Sequence, residues 1–120
     1  MARDGALVST WGLPRAGREA KALEVFVEFL QFWNKKAAEG KCSEPETYFN
    51  ADGSSGMSIV RGKTDVLTEI WMADETMKLI DKSQWIVDDL KTHLYVGGND
   101  DEIQSLTAVF AENGQELGFM

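Results

Sequence analysis

Gly17–Gly40 reads GREAKALEVFVEFLQFWNKKAAEG. Within it Leu23, Phe26, Leu30, Trp33 and Ala37 recur at steps of three and four, the spacing that gathers side chains on one face of an α-helix. Val25, Phe29 and Phe32 widen that face. A helix resting on one surface needs an apolar arc of only about 100°. The wider arc predicts contacts on two sides, with a sheet beneath and a partner alongside. Glu24, Glu28 and Lys35 occupy the polar remainder. Pro14 stands ahead of the helix, where its fixed φ does no harm. Gly40 supplies a C-terminal stop.

The segments on either side read mainly as strands. Ala6–Trp11 is short, apolar and partly β-branched. Glu46–Asn50 puts Thr47 and Phe49 on one face and Tyr48 on the other, and Pro45 is tolerated at its start. Asp52-Gly53-Ser54-Ser55-Gly56 is a turn, and Met57–Arg61 completes a hairpin. Thr64 is read as the cap of a short helix with Val66, Leu67, Ile70 and Trp71 inward. Asp74 is read as the cap of a second, with Met77, Leu79 and Ile80 inward. Trp85–Val96 returns to strand character. Asn99, with Glu102 three residues on, caps a last helix with an apolar face of Ile103, Leu106, Val109 and Phe110. Asn113-Gly114 is read as its end, and the apolar tail of Leu117, Phe119 and Met120 is expected to pack on the body or across onto a partner. The predicted order is β-α-β-β-α-β plus a terminal helix. That is a ferredoxin-like α+β fold with an antiparallel four-stranded sheet.

A length of 120 residues is read as a single domain, residues 1–120, able to bury a core without disulfides or metals. No apolar run is long enough to span a membrane. The N-terminus lacks the basic start and apolar core of a secretory signal, and Cys42 is the only cysteine. Both features lead to the expectation of a cytoplasmic protein. The net charge of −8 is uneven. Residues 1–63 hold nine Lys/Arg and eight Asp/Glu, whereas residues 64–120 hold three and twelve. Nucleic-acid binding needs clustered Lys and Arg, so that class is set aside.

Helices on one side of a sheet leave the other side open. Here it would carry a mixture of Trp11, Tyr48, Ile59 or Val60, His93 and Tyr95, too aromatic to face water. Two copies burying these faces against each other would make a two-fold homodimer.

The element order, with Trp11-x-x-Pro14-x-x-Gly17-Arg18-Glu19, Ala22-Leu23-Glu24-Val25-Phe26 and Ile59-Val60-Arg61-Gly62, resembles the dimeric α+β barrel superfamily over roughly residues 6–112. The likeness is to its small uncharacterised bacterial members. It implies a homodimer whose sheets form a barrel, with a cavity between sheet and helices in each subunit. The superfamily includes cofactor-free monooxygenases, haem-degrading enzymes and stress-response proteins, and the fold does not choose among them.

Candidate chemistry is sparse. His93 is the only histidine and shares a strand face with Tyr95, so the two are the candidates for moving a proton. One histidine and one loop cysteine do not make a metal cluster. No dinucleotide fingerprint, phosphate loop, serine elbow or H-E-x-x-H motif is present, and no cofactor is expected. Trp11, Phe29, Trp33, Tyr48 and Arg61 are the candidate ligand-binding residues. Two readings follow. The first is a homodimer that holds a small apolar or aromatic ligand between sheet and helices. The alternative is a cofactor-free monooxygenase-like or isomerase-like enzyme using His93 or Tyr95. Both require a cavity of roughly 300 Å³ or more.

Overall fold

The computed structural model describes residues 2–120. Strand β1 (Asp4–Trp11) leads into helix α1 (Glu19–Ala38), strands β2 (Glu46–Phe49) and β3 (Gly56–Lys63), and helices α2 (Thr64–Met72) and α3 (Asp74–Gln84). Strand β4 (Lys91–Val96) and helix α4 (Asp100–Glu116) follow. All strands pair antiparallel in one sheet of order β2-β3-β1-β4. This is the ferredoxin-like arrangement expected from the sequence.

Strand alternation decides which side chains meet the helices. Gly5, Leu7 and Ser9 of β1 are buried, as are Gly56, Ser58 and Val60 of β3. Leu7 and Val60 pack with Phe32 and Trp33 of α1, Leu67 and Ile70 of α2, and Leu79 of α3, all at most 9% exposed. Burial of a large apolar side chain contributes roughly 1.5–3 kcal/mol, so this cluster is the main stabilising unit. Phe32 and Trp33 meet edge to face, with centroids 5.2 Å apart. Gly5 lets the layers close up: a Cβ there would strike the Tyr95 carbonyl oxygen and come within 2.7 Å of Thr64 Cγ2.

Helix α1 ends as expected, with Gly40 at φ 77° donating its N–H to the Ala37 carbonyl at 2.9 Å. Its inward face is turned from the expected one. Val25, Phe32 and Trp33 are buried, while Leu23 is 69% exposed. The inward arc therefore centres on Phe29 rather than Leu30.

Several expected boundaries shift. Thr64 and Asp74 are the first helical residues of α2 and α3, not their caps; Lys63 and Ala73 take the cap positions in extended conformation. In α3, Thr76 and Leu79 are the buried positions, and Met77 points outward. The expected strand from Trp85 shrinks to Lys91–Val96. Its forepart is instead a turn strapped to Gly12–Arg15 by backbone bonds, among them Gly12 N–H to Asp88 O at 2.7 Å and Arg15 N–H to Ile86 O at 2.8 Å. Helix α4 runs through Asn113-Gly114 to Glu116. The tail folds back on α4, with Phe119 N–H donating to Gly114 O at 2.8 Å, and leaves Phe119 83% exposed.

The face of the sheet away from α1 carries Ala6, Val8, Tyr48, Met57, Ile59, Arg61, His93 and Tyr95, as the strand register requires. Trp11 and Val60, expected as possible members of that face, have the opposite parity and lie on the helix side.

Candidate functional site

Between the sheet and helices α1 and α3 lies a cavity of about 430 Å³. Leu7, Ser9, Trp11 and Thr92 form its floor, and Val25, Phe26, Phe29 and Trp33 of α1 form its roof. Thr76 and Leu79 of α3 close one flank. The deep wall includes Leu7, Trp33, Thr76 and Leu79, each no more than 6% exposed. The rim includes Leu13, Leu23 and Phe49, exposed by 56%, 69% and 63%. The opening thus lies at the end of the sheet where β1 finishes, bordered mainly by apolar side chains with Glu19 beside them.

Aromatic edges build that end. Trp11 contacts Phe26, Phe29 and Phe49 with centroid separations of 6.0, 6.2 and 6.3 Å. Gly56 makes room for this: a Cβ there would sit 2.7 Å from the Trp11 ring. A second, shallower hollow of about 660 Å³ on the far side of the sheet is bordered by Thr10, Tyr48, Met57 and Lys91. Trp11, Gly12, Phe49 and Ser55 border both spaces, so the Trp11–Phe49 pair partitions them.

The polar groups of the cavity are few and mostly committed. Thr76 Oγ1 donates to the Ile70 carbonyl, and Ser83 Oγ donates to the Leu79 carbonyl at 2.8 Å. Ser9 Oγ and Thr92 Oγ1 lie 3.3 Å apart on the floor. Among the described residues Glu19 is the single titratable side chain of the lining; it is exposed and accepts the Gly17 N–H at 3.3 Å. Titration shifts occur elsewhere. Burial pushes the Cys42 thiol upward, with Glu39 adding and Lys36 opposing. Hydrogen bonding to Asp4 holds Lys63 above its ordinary value, and bonds from Ser54 hold Asp52 below its own.

Of the residues singled out from sequence, Trp11, Phe29 and Trp33 converge on the cavity. Tyr48, Arg61, His93 and Tyr95 stand on the opposite sheet face, because side chains alternate along each strand. Arg61 pairs there with the Glu46 carboxylate, which also accepts the Tyr48 hydroxyl at 3.1 Å. The His93 and Tyr95 rings lie 6.0 Å apart. Sequence reasoning missed Ser9, Thr92, Phe26 and Thr76. Ser9 and Thr92 are brought together only by the pairing of β1 with β4, and Phe26 and Thr76 join them only through the packing of α1 and α3 on the sheet. Among the described residues no group of three or more His, Cys, Asp or Glu side chains could hold a metal ion.

No family model and no curated protein sequence matches the chain. Solved structures do. Rv0793 of Mycobacterium tuberculosis superposes with a TM-score of 0.65 at 13% identity, over 81% of this chain and 97% of that one. SnoaB of Streptomyces nogalater, a cofactor-independent oxygenase, gives 0.63 at 12%, over 82% and 96%. PA3566 of Pseudomonas aeruginosa gives 0.59 at 17%, over 82% and 98%. The chain shares the ferredoxin-like α+β fold of these proteins. At these identities the likeness carries the fold and no further property.

Proposed function

We propose that this chain is a single-domain binding protein that holds a small apolar or aromatic molecule in the cavity between its sheet and helices. The cavity itself carries the reading. Its volume of about 430 Å³ falls in the lower part of the ordinary range for small-molecule sites, roughly 300–1,000 Å³, and its walls are almost wholly apolar. Trp11, Phe29 and Trp33 are the contact surfaces in this reading, with Phe26 beside them.

The working unit is a cytoplasmic homodimer. The open sheet face supports this, since Val8, Met57, Ile59 and Tyr95 would otherwise meet water together. Among the described residues no helix is long and apolar enough to cross a membrane, and the acidic balance argues against a nucleic-acid partner.

A cofactor-free oxygenase or isomerase is the other reading, and likeness to SnoaB brings it forward. Such an enzyme needs a group that takes a proton from the bound molecule. The cavity offers only rim-side Glu19, and His93 and Tyr95 face away from it. Binding without transformation is therefore the reading retained.

Tetralin, a fused bicyclic hydrocarbon, is a suitable probe. Calorimetry is expected to show saturable binding at one site per chain. Ala22→Trp, which places a ring into the space from α1, is expected to abolish it while the far-ultraviolet circular dichroism stays unchanged. Undiminished binding by that variant would place the tetralin elsewhere and defeat the proposal.

A further inference from the structure

At one level of the sheet, all four strands present a hydroxyl to the helix side. Thr47, Ser58, Ser9 and Thr92 are successive partners in the register, giving a row that crosses β2, β3, β1 and β4 in turn. Ser58 is 1% exposed and Ser9 8%. Thr47 Oγ1 donates to Ser58 Oγ at 3.3 Å, and Ser9 Oγ meets Thr92 Oγ1 at the same distance. An apolar row of the same shape would be as stable or more so, because burying a hydroxyl has a desolvation cost that one neutral hydrogen bond barely offsets. The row is therefore a poor device for stability alone.

Its two ends differ. Ser9 and Thr92 line the cavity, whereas Thr47 and Ser58 lie outside the lining. Two hydroxyls carry two hydrogens. The single bond between Ser9 and Thr92 uses one of them, and neither side chain has another partner among the described residues. One O–H is thus left uncommitted on the floor of a mostly apolar chamber; the other lining hydroxyl with no side-chain bond among the described residues, that of Ser55, belongs to the turn before β3 and not to the floor. The other hydroxyls of the lining helices, Thr76 and Ser83, are already spent on backbone carbonyls. Among the described residues no Lys, Arg or His borders the space, so an ionised ligand group would have no counter-charge from them.

We infer that Ser9 and Thr92 form the specificity-determining polar spot of the cavity, selecting a neutral molecule with one hydrogen-bond acceptor, such as a carbonyl oxygen, on an apolar ring body. This rests on the binding reading proposed above and adds to it what kind of molecule is preferred. The uncommitted hydroxyl hydrogen would meet the acceptor while Trp11, Phe29 and Trp33 enclose the rings.

The test pairs tetralin with 1-tetralone, which differ by one carbonyl oxygen, and adds tetralin-2-carboxylate as the anion. The native protein is expected to bind 1-tetralone about tenfold more tightly than the variant Ser9→Ala/Thr92→Val, as befits a single well-placed hydrogen bond. Tetralin should bind both proteins alike, within about twofold, and the carboxylate should bind at least tenfold more weakly than the ketone. The variant replaces both hydroxyls with groups of similar shape and should fold as well as the native chain, checked by thermal melting. Equal affinity of native and variant protein for 1-tetralone would overturn this inference and leave the cavity reading standing, as would carboxylate binding as tight as the ketone's. Failure of tetralin to bind the native protein would remove the cavity reading itself.

Discussion

Gly56 and Trp11 illustrate how much one missing atom settles. The Trp11 ring occupies the space a side chain at position 56 would need, and the same ring closes one end of the cavity. Gly56→Ala must displace the indole. Overpacking of this kind costs roughly 1–3 kcal/mol, so an unfolding free energy in urea lowered by that amount is expected, with tetralin affinity altered as well. A melt indistinguishable from the native one would show that the ring moves freely. Trp11 could be recognised from sequence as a ligand-contact candidate, but its side of the sheet could not. Both parities of the first strand are apolar: Ala6 and Val8 on one, Leu7 and Trp11 on the other. Alternation tells inside from outside only where one face is polar. The same ambiguity hid Ser9, which shares its parity with Leu7 and Trp11 and lies on the chamber floor.

Among the elements, α4 was the most legible at its start and the least at its end. The Asn99 side chain accepts the Glu102 N–H at 3.1 Å, the cap that the spacing implied. Its substitution by alanine is expected to cost about 1 kcal/mol, confined to this helix. Hydrogen exchange should show faster exchange of the first-turn amides of α4, with β1 and β3 unchanged; protection lost throughout would mean that α4 is coupled to the core. The far end was misread because Asn-Gly usually marks a turn. Gly114 instead stays helical, and a Cβ on it would lie 2.6 Å from Met120 Sδ. The glycine serves the close approach of the returning tail rather than a change of direction. The stretch from Trp85 was misread for a related reason. Its apolar residues do reach the cavity, through Ile86, Val87 and Leu90, yet they do so from a turn bonded to Gly12–Arg15. Composition registered the burial and could not register the backbone path.

At the scale of the whole molecule, the shape is elongated. Its principal extents are 55 × 32 × 25 Å, and its radius of gyration is 17.0 Å, against about 13.5 Å for a compact chain of this length. Helix α4 accounts for the excess. None of its residues is buried, and Ile103, Val109 and Phe110 are exposed. Arg3 tethers its first turns through Glu102 at 3.0 Å and Ser105 at 3.1 Å. An unpartnered apolar helix and an open aromatic sheet face on one chain both favour self-association. Sedimentation at high micromolar concentration is expected to give twice the 13.4 kDa chain mass. Ile59→Asp, on the open face and outside the core cluster, should halve that mass without unfolding the chain. A well-folded single chain in the native protein at that concentration would end the dimer proposal. The element order and the −8 charge were plain from the sequence. The projection of α4 was not, because an amphipathic pattern records that a face needs cover and says nothing of which molecule provides it.

The placement of the indoles has an optical consequence. Trp11 and Trp33 border the cavity, Trp71 packs half-buried against the core outside it, and Trp85 lies 69% exposed on the surface. Light emitted by the cavity pair and Trp71 should be blue-shifted and shielded from iodide, and that of Trp85 red-shifted and readily quenched. A guest in the chamber would change only the shielded component, so the molecule reports its own occupancy without a label.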